Sequence, residues 1–398
     1  MLEFAIFGLT LFGVAVLHRH SLPVAVSGLV VVTVVKIAYL GFGSLTGFEG
    51  LLAHLGHEWV SLFNLMGLLL GFAILSRHFE QSGIPKRLPH FLPDDWRGGF
   101  ALLVLVFVLS AFLDNIAAAI IGGTIASSVF RGKVHVGYLA GIVAASNAGG
   151  SGSVVGDTTT TMMWIAGASP LAVSQAYTAA VTALLITAWF AARQQQAYSP
   201  IIVNAPEYSP IDRARVMVVV LMLGAVMAAN ILSNTRFAGA SDRFPVLAAA
   251  LWGAILVCTP WRKPDWAVLP GATRSAVFLL SLVLIASMMP MKGMPHASWP
   301  TVLGLGFVSA VFDNIPLTAL AIRQDGYDWG MLAYAVGFGG SMLWFGSSAG
   351  VALTGQFEEA RSVGLWLRHG WHVVLAYLAG FGVMLMLHGW HPSMLRLG

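Results

Sequence analysis

Apolar runs long enough to cross a lipid bilayer recur from one end of this chain to the other, at residues 2–17, 21–41, 59–78, 170–192, 213–232, 244–259, 271–290 and 365–388. A bilayer core of roughly 30 Å takes about 20 apolar residues as a helix. It holds no water to satisfy an open backbone. The runs therefore predict an all-α polytopic membrane protein. Composition agrees: 57% of residues are hydrophobic and only 10% charged, where a soluble domain carries about 25% charge. The first run lacks a basic leader and a small-residue cleavage site, and reads as a mature span.

Other apolar stretches do not fit a plain span. Phe100 to Phe130 covers 31 residues with Asp114 near its middle. As one straight helix it would reach roughly 46 Å, far more than the bilayer core. Folded back at Asp114-Asn115 it becomes a re-entrant helical hairpin about 22 Å deep. Backbone that leaves the helix at such depth must be buried in protein or line a cavity.

An internal repeat supports the hairpin. "SAFLDNI" (Ser110 to Ile116) returns as "SAVFDNI" (Ser309 to Ile315), and "GGSGSVVGD" (Gly149 to Asp157) returns as "GGSMLWFGS" (Gly339 to Ser347). Each half reads as a five-span unit with a re-entrant hairpin and a broken transmembrane helix. Two such units must be oppositely oriented, the inverted-repeat plan of secondary transporters. The expected segments are scaffold spans at 1–98, a transport region at 99–200, scaffold spans at 201–298 and a second transport region at 299–398.

Charge bears on the topology. With both hairpins re-entrant, fifteen of the 21 Lys and Arg residues share one side and five the other, Lys36 lying within a span. With both hairpins crossing fully, those twenty would split ten and ten. The positive-inside bias selects the first arrangement and places both termini outside the cytoplasm.

A carboxylate at mid-membrane costs about 2.5–3.5 kcal/mol, so an intramembrane Asp is a functional hypothesis. Asp114, Asp157 and Asp313 are three of them. Oxygen-bearing neighbours accompany each: Asn115 and Asn314 at the hairpin tips, Asn147, Ser151, Thr159 and Thr160 around the first glycine-rich break, Ser341 and Ser347 in the second. Unwound backbone turns carbonyls toward an ion, and half-helix C-terminal ends add negative partial charge. Such a set suits a hard cation. An Asp beside a helix break also has a plainer use, as a cap for the following half-helix.

No Arg or Lys lies at the hairpin tips or glycine breaks to pair with an anionic substrate. Asp157 has no acid counterpart in the second half, where Ser347 stands. It is thus the expected alternating group, taking a proton or a cation. "GGSGSVVGDTTTT" lacks the Gly-Lys-Ser/Thr ending of a phosphate loop. No basic-aromatic patch points to nucleic acid, the single Cys258 excludes an internal disulfide, and no nucleophile-base spacing points to an enzyme. "GLLLG" (Gly67 to Gly71) has the small-xxx-small spacing of close helix packing.

The paired "DN" tips, "NAGGSGSVVGDTTTTMMW" (Asn147 to Trp164) and "GFGGSMLWFGSSAGVALTG" (Gly337 to Gly355) resemble the ion transporter superfamily, and within it the NhaD-type sodium/proton antiporters. The resemblance implies exchange of sodium or lithium for protons by an elevator-type mechanism. It also implies a homodimer in a prokaryotic inner membrane and no cofactor. A sodium site would lie at Asp114, Asn147, Asp157, Asp313 and Ser341. Carriers of di- and tricarboxylates and arsenite-type permeases of the same superfamily remain the alternative.

Overall fold

The computed structural model describes residues 2–17, 20–42, 45–87, 92–154, 156–201, 210–235, 243–290, 295–312 and 314–395. Among these the chain is helical throughout, with two isolated backbone bridges and no strand. The helices are α1 (Leu2–Val16), α2 (Ser21–Val35, continued by a π turn at Lys36–Leu40), α3 (Gly47–Gln81), α4 (Ile84–Arg87), α5 (Trp96–Ser110), α6 (Asn115–Val129), α7 (Val136–Ser151), α8 (Thr158–Ile165), α9 (Pro170–Ser174) and α10 (Ala176–Tyr198). They continue as α11 (Arg213–Thr235), α12 (Val246–Cys258), α13 (Leu269–Ser287), α14 (Trp299–Ser309), α15 (Asn314–Gln324), α16 (Trp329–Gly339), α17 (Ser348–Gln356), α18 (Val363–His369) and α19 (Trp371–His388).

Two differences from the sequence reading have local causes. The span expected at 59–78 is the C-terminal part of α3, a 35-residue helix that begins at Gly47. Phe48, Leu51, Leu52 and Leu55 continue its apolar face at helical spacing, and no proline interrupts them. The run at 365–388 is two helices, α18 and α19, parted at Gly370. A side chain there would crowd the Trp366 carbonyl at 2.7 Å and Ala140 at 3.0 Å.

The chain divides into two compact units, each drawn from both halves of the sequence. The first comprises Met1–Ser82 with Ile211–Lys292. Within it α1 packs on α2, α2 on α13, and α3 against α11, α12 and α13. The "GLLLG" segment is where α3 meets α12. A methyl on Gly67 would stand 2.5 Å from the Ala248 side chain, and one on Gly71 would strike Leu251. That close approach lets the Asn64 side chain accept from the Ala248 N–H at 2.9 Å and the Trp252 indole donate to the Gly67 carbonyl at 2.9 Å. A buried ion pair, Lys36 Nζ to Glu3 Oε1 at 3.5 Å, ties α2 to α1.

Apolar side chains also cover the outside of this unit, among them Leu9, Phe12, Val30, Phe48, Leu52 and Val257, all more than half exposed. Helices apolar on every face are membrane spans. The chain is a multi-pass membrane protein.

The second unit comprises Gly83–Pro210 with Gly293–Arg396. Its centre is α7, buried at every residue from Gly137 to Ser151 and packed against α5, α6, α10, α16, α17 and α18. Its counterpart α16 is buried along its whole length and packs against α14, α10 and α7. The region 99–130 is two helices in mutual contact, α5 and α6, separated by Ala111–Asp114. The two most enclosed helices, α7 and α16, are those that run into the glycine-rich breaks.

Candidate functional site

Both breaks are built alike. Helix α7 stops at Ser151, and α8 restarts after Asp157, whose side chain accepts from the Thr159 N–H. Helix α16 stops at Gly339, and α17 restarts after Ser347, whose hydroxyl accepts from the Gly350 N–H at 3.3 Å. Glycine is needed because the breaks fold tightly on themselves. A Cβ on Gly150 would lie 2.8 Å from the Gly156 carbonyl, and one on Gly340 2.7 Å from the Gly346 carbonyl.

The paired contacts extend to the C-terminal ends of α5 and α14. Ser110 donates to the Ser146 carbonyl at 2.5 Å, and Ser309 donates to the Val336 carbonyl at 2.7 Å. A side chain at Gly149 would strike the Phe107 carbonyl, and one at Gly339 the Gly306 carbonyl. These serines and glycines occupy matching places in the two halves of the sequence.

Asp157 is 3% exposed. Its Oδ2 accepts from the Thr159 hydroxyl at 2.9 Å and from Asn314 Nδ2 at 3.5 Å, while Oδ1 accepts from the Thr159 N–H at 3.4 Å. Asp157 thus caps α8 at Oδ1 and gathers side-chain donors at Oδ2. The N-terminus of α8 contributes positive partial charge that favours the ionised carboxyl. A buried carboxylate held at a helix break among hydroxyl and carboxamide donors presents oxygens that can accept either a proton or a cation.

Asn115, Asn147, Ser341 and Ser347 form a second group. Asn115 Nδ2 donates to Asn147 Oδ1 at 3.1 Å, and Asn147 Nδ2 donates to Ser341 Oγ at 2.9 Å and Ser347 Oγ at 3.0 Å. All four residues are at most 5% exposed. Sequence segments almost two hundred residues apart are thereby joined at their interruptions.

The other predicted residues are placed as follows. Asp114 stands at the cap position of α6, within electrostatic reach of Asp157. The Thr160 hydroxyl is turned to backbone, donating to the carbonyls of Ser153 at 2.5 Å and Asp157 at 2.9 Å. Ser151 donates to the Ala148 carbonyl at 2.8 Å. Asp313 lies outside the described residues. Reasoning from sequence missed the hydroxyls of Ser110 and Ser309, although each opens a copy of the repeated motif. It also missed Tyr177, which donates to the Gly149 carbonyl at 3.2 Å, and Trp366, which donates to the Ser341 carbonyl at 3.2 Å. Both are aromatics that sequence alone reads as packing.

Comparison with known proteins bears on this arrangement. A family profile described as citrate transporter matches residues 5–339. Sodium/proton antiporter 1 of Arabidopsis thaliana is 27% identical over 384 residues, covering 83% of this chain and 62% of that protein. Sodium/proton antiporter 2 of the same plant is 24% identical over 327 residues, covering 73% of this chain and 76% of that protein. The Na(+)/H(+) antiporter NhaD of Halomonas elongata is 35% identical over 94 residues, 23% of this chain and 19% of its own length. The chain thus spans 62% of the length of the first of these relatives.

Proposed function

The chain belongs to the citrate transporter family, and from that premise we propose that it is a secondary carrier that exchanges sodium or lithium for protons. One observation carries the reading: the buried Asp157 carboxylate, set at a helix break among hydroxyl and carboxamide groups. Its oxygens, with Thr159 and Ser151 beside them, would hold a sodium or lithium ion, and protonation of the same carboxyl would release it. Cation and proton then compete for one group, which is sufficient for exchange. The antiporter names of the Arabidopsis and Halomonas relatives support the same assignment.

The finer features follow from the resemblance to NhaD-type antiporters. The α5–α6 and α14–α15 pairs would be re-entrant hairpins of an inverted repeat. The unit carrying both breaks would move as the transport domain, and the other would form the dimeric scaffold in an elevator cycle. The termini would lie outside the cytoplasm of a prokaryotic inner membrane. The division into two units, each drawn from both halves of the chain, supports this.

The family description itself favours a second reading, a carrier of citrate-like anions. Against it stands the sequence of the tips and breaks: residues 110–116, 147–164, 309–315 and 337–353 contain no Lys or Arg. A carboxylate substrate there would meet Asp157 without a basic partner.

The test is dissipation of a preformed pH gradient in everted vesicles on addition of sodium, lithium or potassium, beside uptake of labelled citrate. A response to sodium or lithium without citrate uptake is expected. Citrate uptake without a cation response would replace exchange by anion transport.

A further inference from the structure

The two breaks present matching half-sites that differ in one respect, and the difference points to the number of cations carried. Aligning Gly149-Gly150-Ser151 with Gly339-Gly340-Ser341, and Gly156-Asp157 with Gly346-Ser347, pairs Asn147 with Gly337. The fold obeys the same pairing. The Asn147 side chain reaches Ser341 and Ser347 of the opposite break. A Cβ built on Gly337 would meet the counterparts of those two residues, Ser151 Cβ at 3.4 Å and Asp157 Oδ2 at 3.5 Å. Positions 147 and 337 therefore look into equivalent half-sites from equivalent places.

One half-site is filled. The Asn147 amide nitrogen points its two N–H groups at two hydroxyl oxygens, as a bound cation would draw them. Its oxygen is tied back by Asn115. This donor is neutral, so the opposing group need carry no charge, and Ser347 stands there. In the other half-site glycine contributes no side chain, and the facing group is the Asp157 carboxylate. Asn314, the counterpart of Asn115, bonds to Asp157 directly, where Asn115 bonds to the interposed Asn147. The pairs Asn147/Ser347 and Gly337/Asp157 are each balanced on their own terms: a neutral plug with a neutral acceptor, a position without a side chain with an anion.

We propose that this protein binds a single sodium or lithium ion per chain, in the half-site bounded by Asp157, Ser151 and Gly337, and that the Asn147 carboxamide permanently occupies the second, repeat-related half-site as a stand-in for a cation. The proposal rests on the exchange reading above. It makes Ser341 and Ser347 part of a lock between the two breaks, and Gly337 the residue that keeps the working site open.

The experiment is radiolabelled sodium binding to the purified full chain in detergent, with initial exchange rates measured against sodium concentration. The wild type should bind one sodium per chain and show a unit Hill coefficient. Gly337→Asn copies the plug into the working site. It should weaken sodium binding roughly ten- to hundredfold, the loss of one charge-assisted contact or more, with elution profile and melting temperature retained. Should that variant not fold, Gly337→Ala decides, because its methyl meets only ordinary contacts at 3.4 and 3.5 Å. A severalfold loss of affinity is expected, and wild-type affinity would overturn the proposal. Two sodium ions per chain in the wild type, or undiminished affinity in a folded Gly337→Asn, would also overturn it while leaving exchange intact. No saturable binding of sodium or lithium by the wild type would overturn the exchange reading and this inference together.

Discussion

Replacing Asp157 by Asn separates its two roles, because Asn caps a helix as well as Asp does but carries no charge. The stability effect can be worked from the site. Of the carboxylate's bonds to Thr159 and Asn314, only that from the Thr159 hydroxyl, at 2.9 Å, is short. Changing one charge-assisted bond to a neutral one costs about 1 kcal/mol, and an amide donor left facing another donor costs about 1–3 kcal/mol more. Against this, the substitution withdraws a carboxylate whose place at bilayer depth costs about 2.5–3.5 kcal/mol. The terms cancel to within about 1.5 kcal/mol, a melting shift of about 5 °C or less. Exchange has no such compensation, since the variant can neither take up the proton nor neutralise the cation. Gradient dissipation should vanish in Asp157→Asn vesicles while thermal unfolding of the purified variant stays near wild type. Normal exchange would show that Asp157 is a cap and nothing more. A large loss of melting temperature would refute the energetic reasoning.

Gly149→Ala and Gly339→Ala should each cost about 1–3 kcal/mol by overpacking, since each new methyl strikes a backbone carbonyl that cannot swing away; unchanged unfolding temperatures in both would deny the close approach. Ser151→Ala should raise the sodium concentration for half-maximal exchange more than Ser341→Ala does, and the reverse order would place the cation in the other half-site. Outside the spans, the hydrogen bond from Arg262 at 2.7 Å holds the Asp212 carboxyl below its ordinary value of 3.8. A folded value lower than the unfolded one means stability that is complete above pH 3.8 and lost as pH falls through the folded value. Melting curves of wild type and Arg262→Ala should therefore differ at neutral pH and converge only as pH falls through the lowered folded value, and a gap that persists in stronger acid would assign the effect to packing.

Much of this fold was legible because membrane helices announce themselves by length and apolarity, and breaks by glycine. The interruptions at Ala111–Asp114 and between Ser151 and Thr158 fall where "LDN" and "GGSGSVVGD" occur. Helix α3 extends beyond its apolar run because Glu49, His54, His57 and Glu58 dilute the hydropathy of its first turns while the apolar spacing continues. The site was legible as a set of residue types and not as a network. That Asn147 would spend its amide on Ser341 and Ser347 depends on contacts between segments remote in sequence. Gly337 carries no functional group, and its meaning appears only from what a side chain there would touch.

The Glu3–Lys36 pair constrains how the chain is assembled. Its side chains are 10% and 9% exposed, and a buried charge parted from its partner costs about 3–5 kcal/mol. Inserting α1 without α2 would leave Glu3 without Lys36, and inserting α2 without α1 would leave Lys36 without Glu3. The lower-energy route is for the ribosome to release both segments before either settles. Helices α1 and α2 then enter the bilayer together as one neutral hairpin.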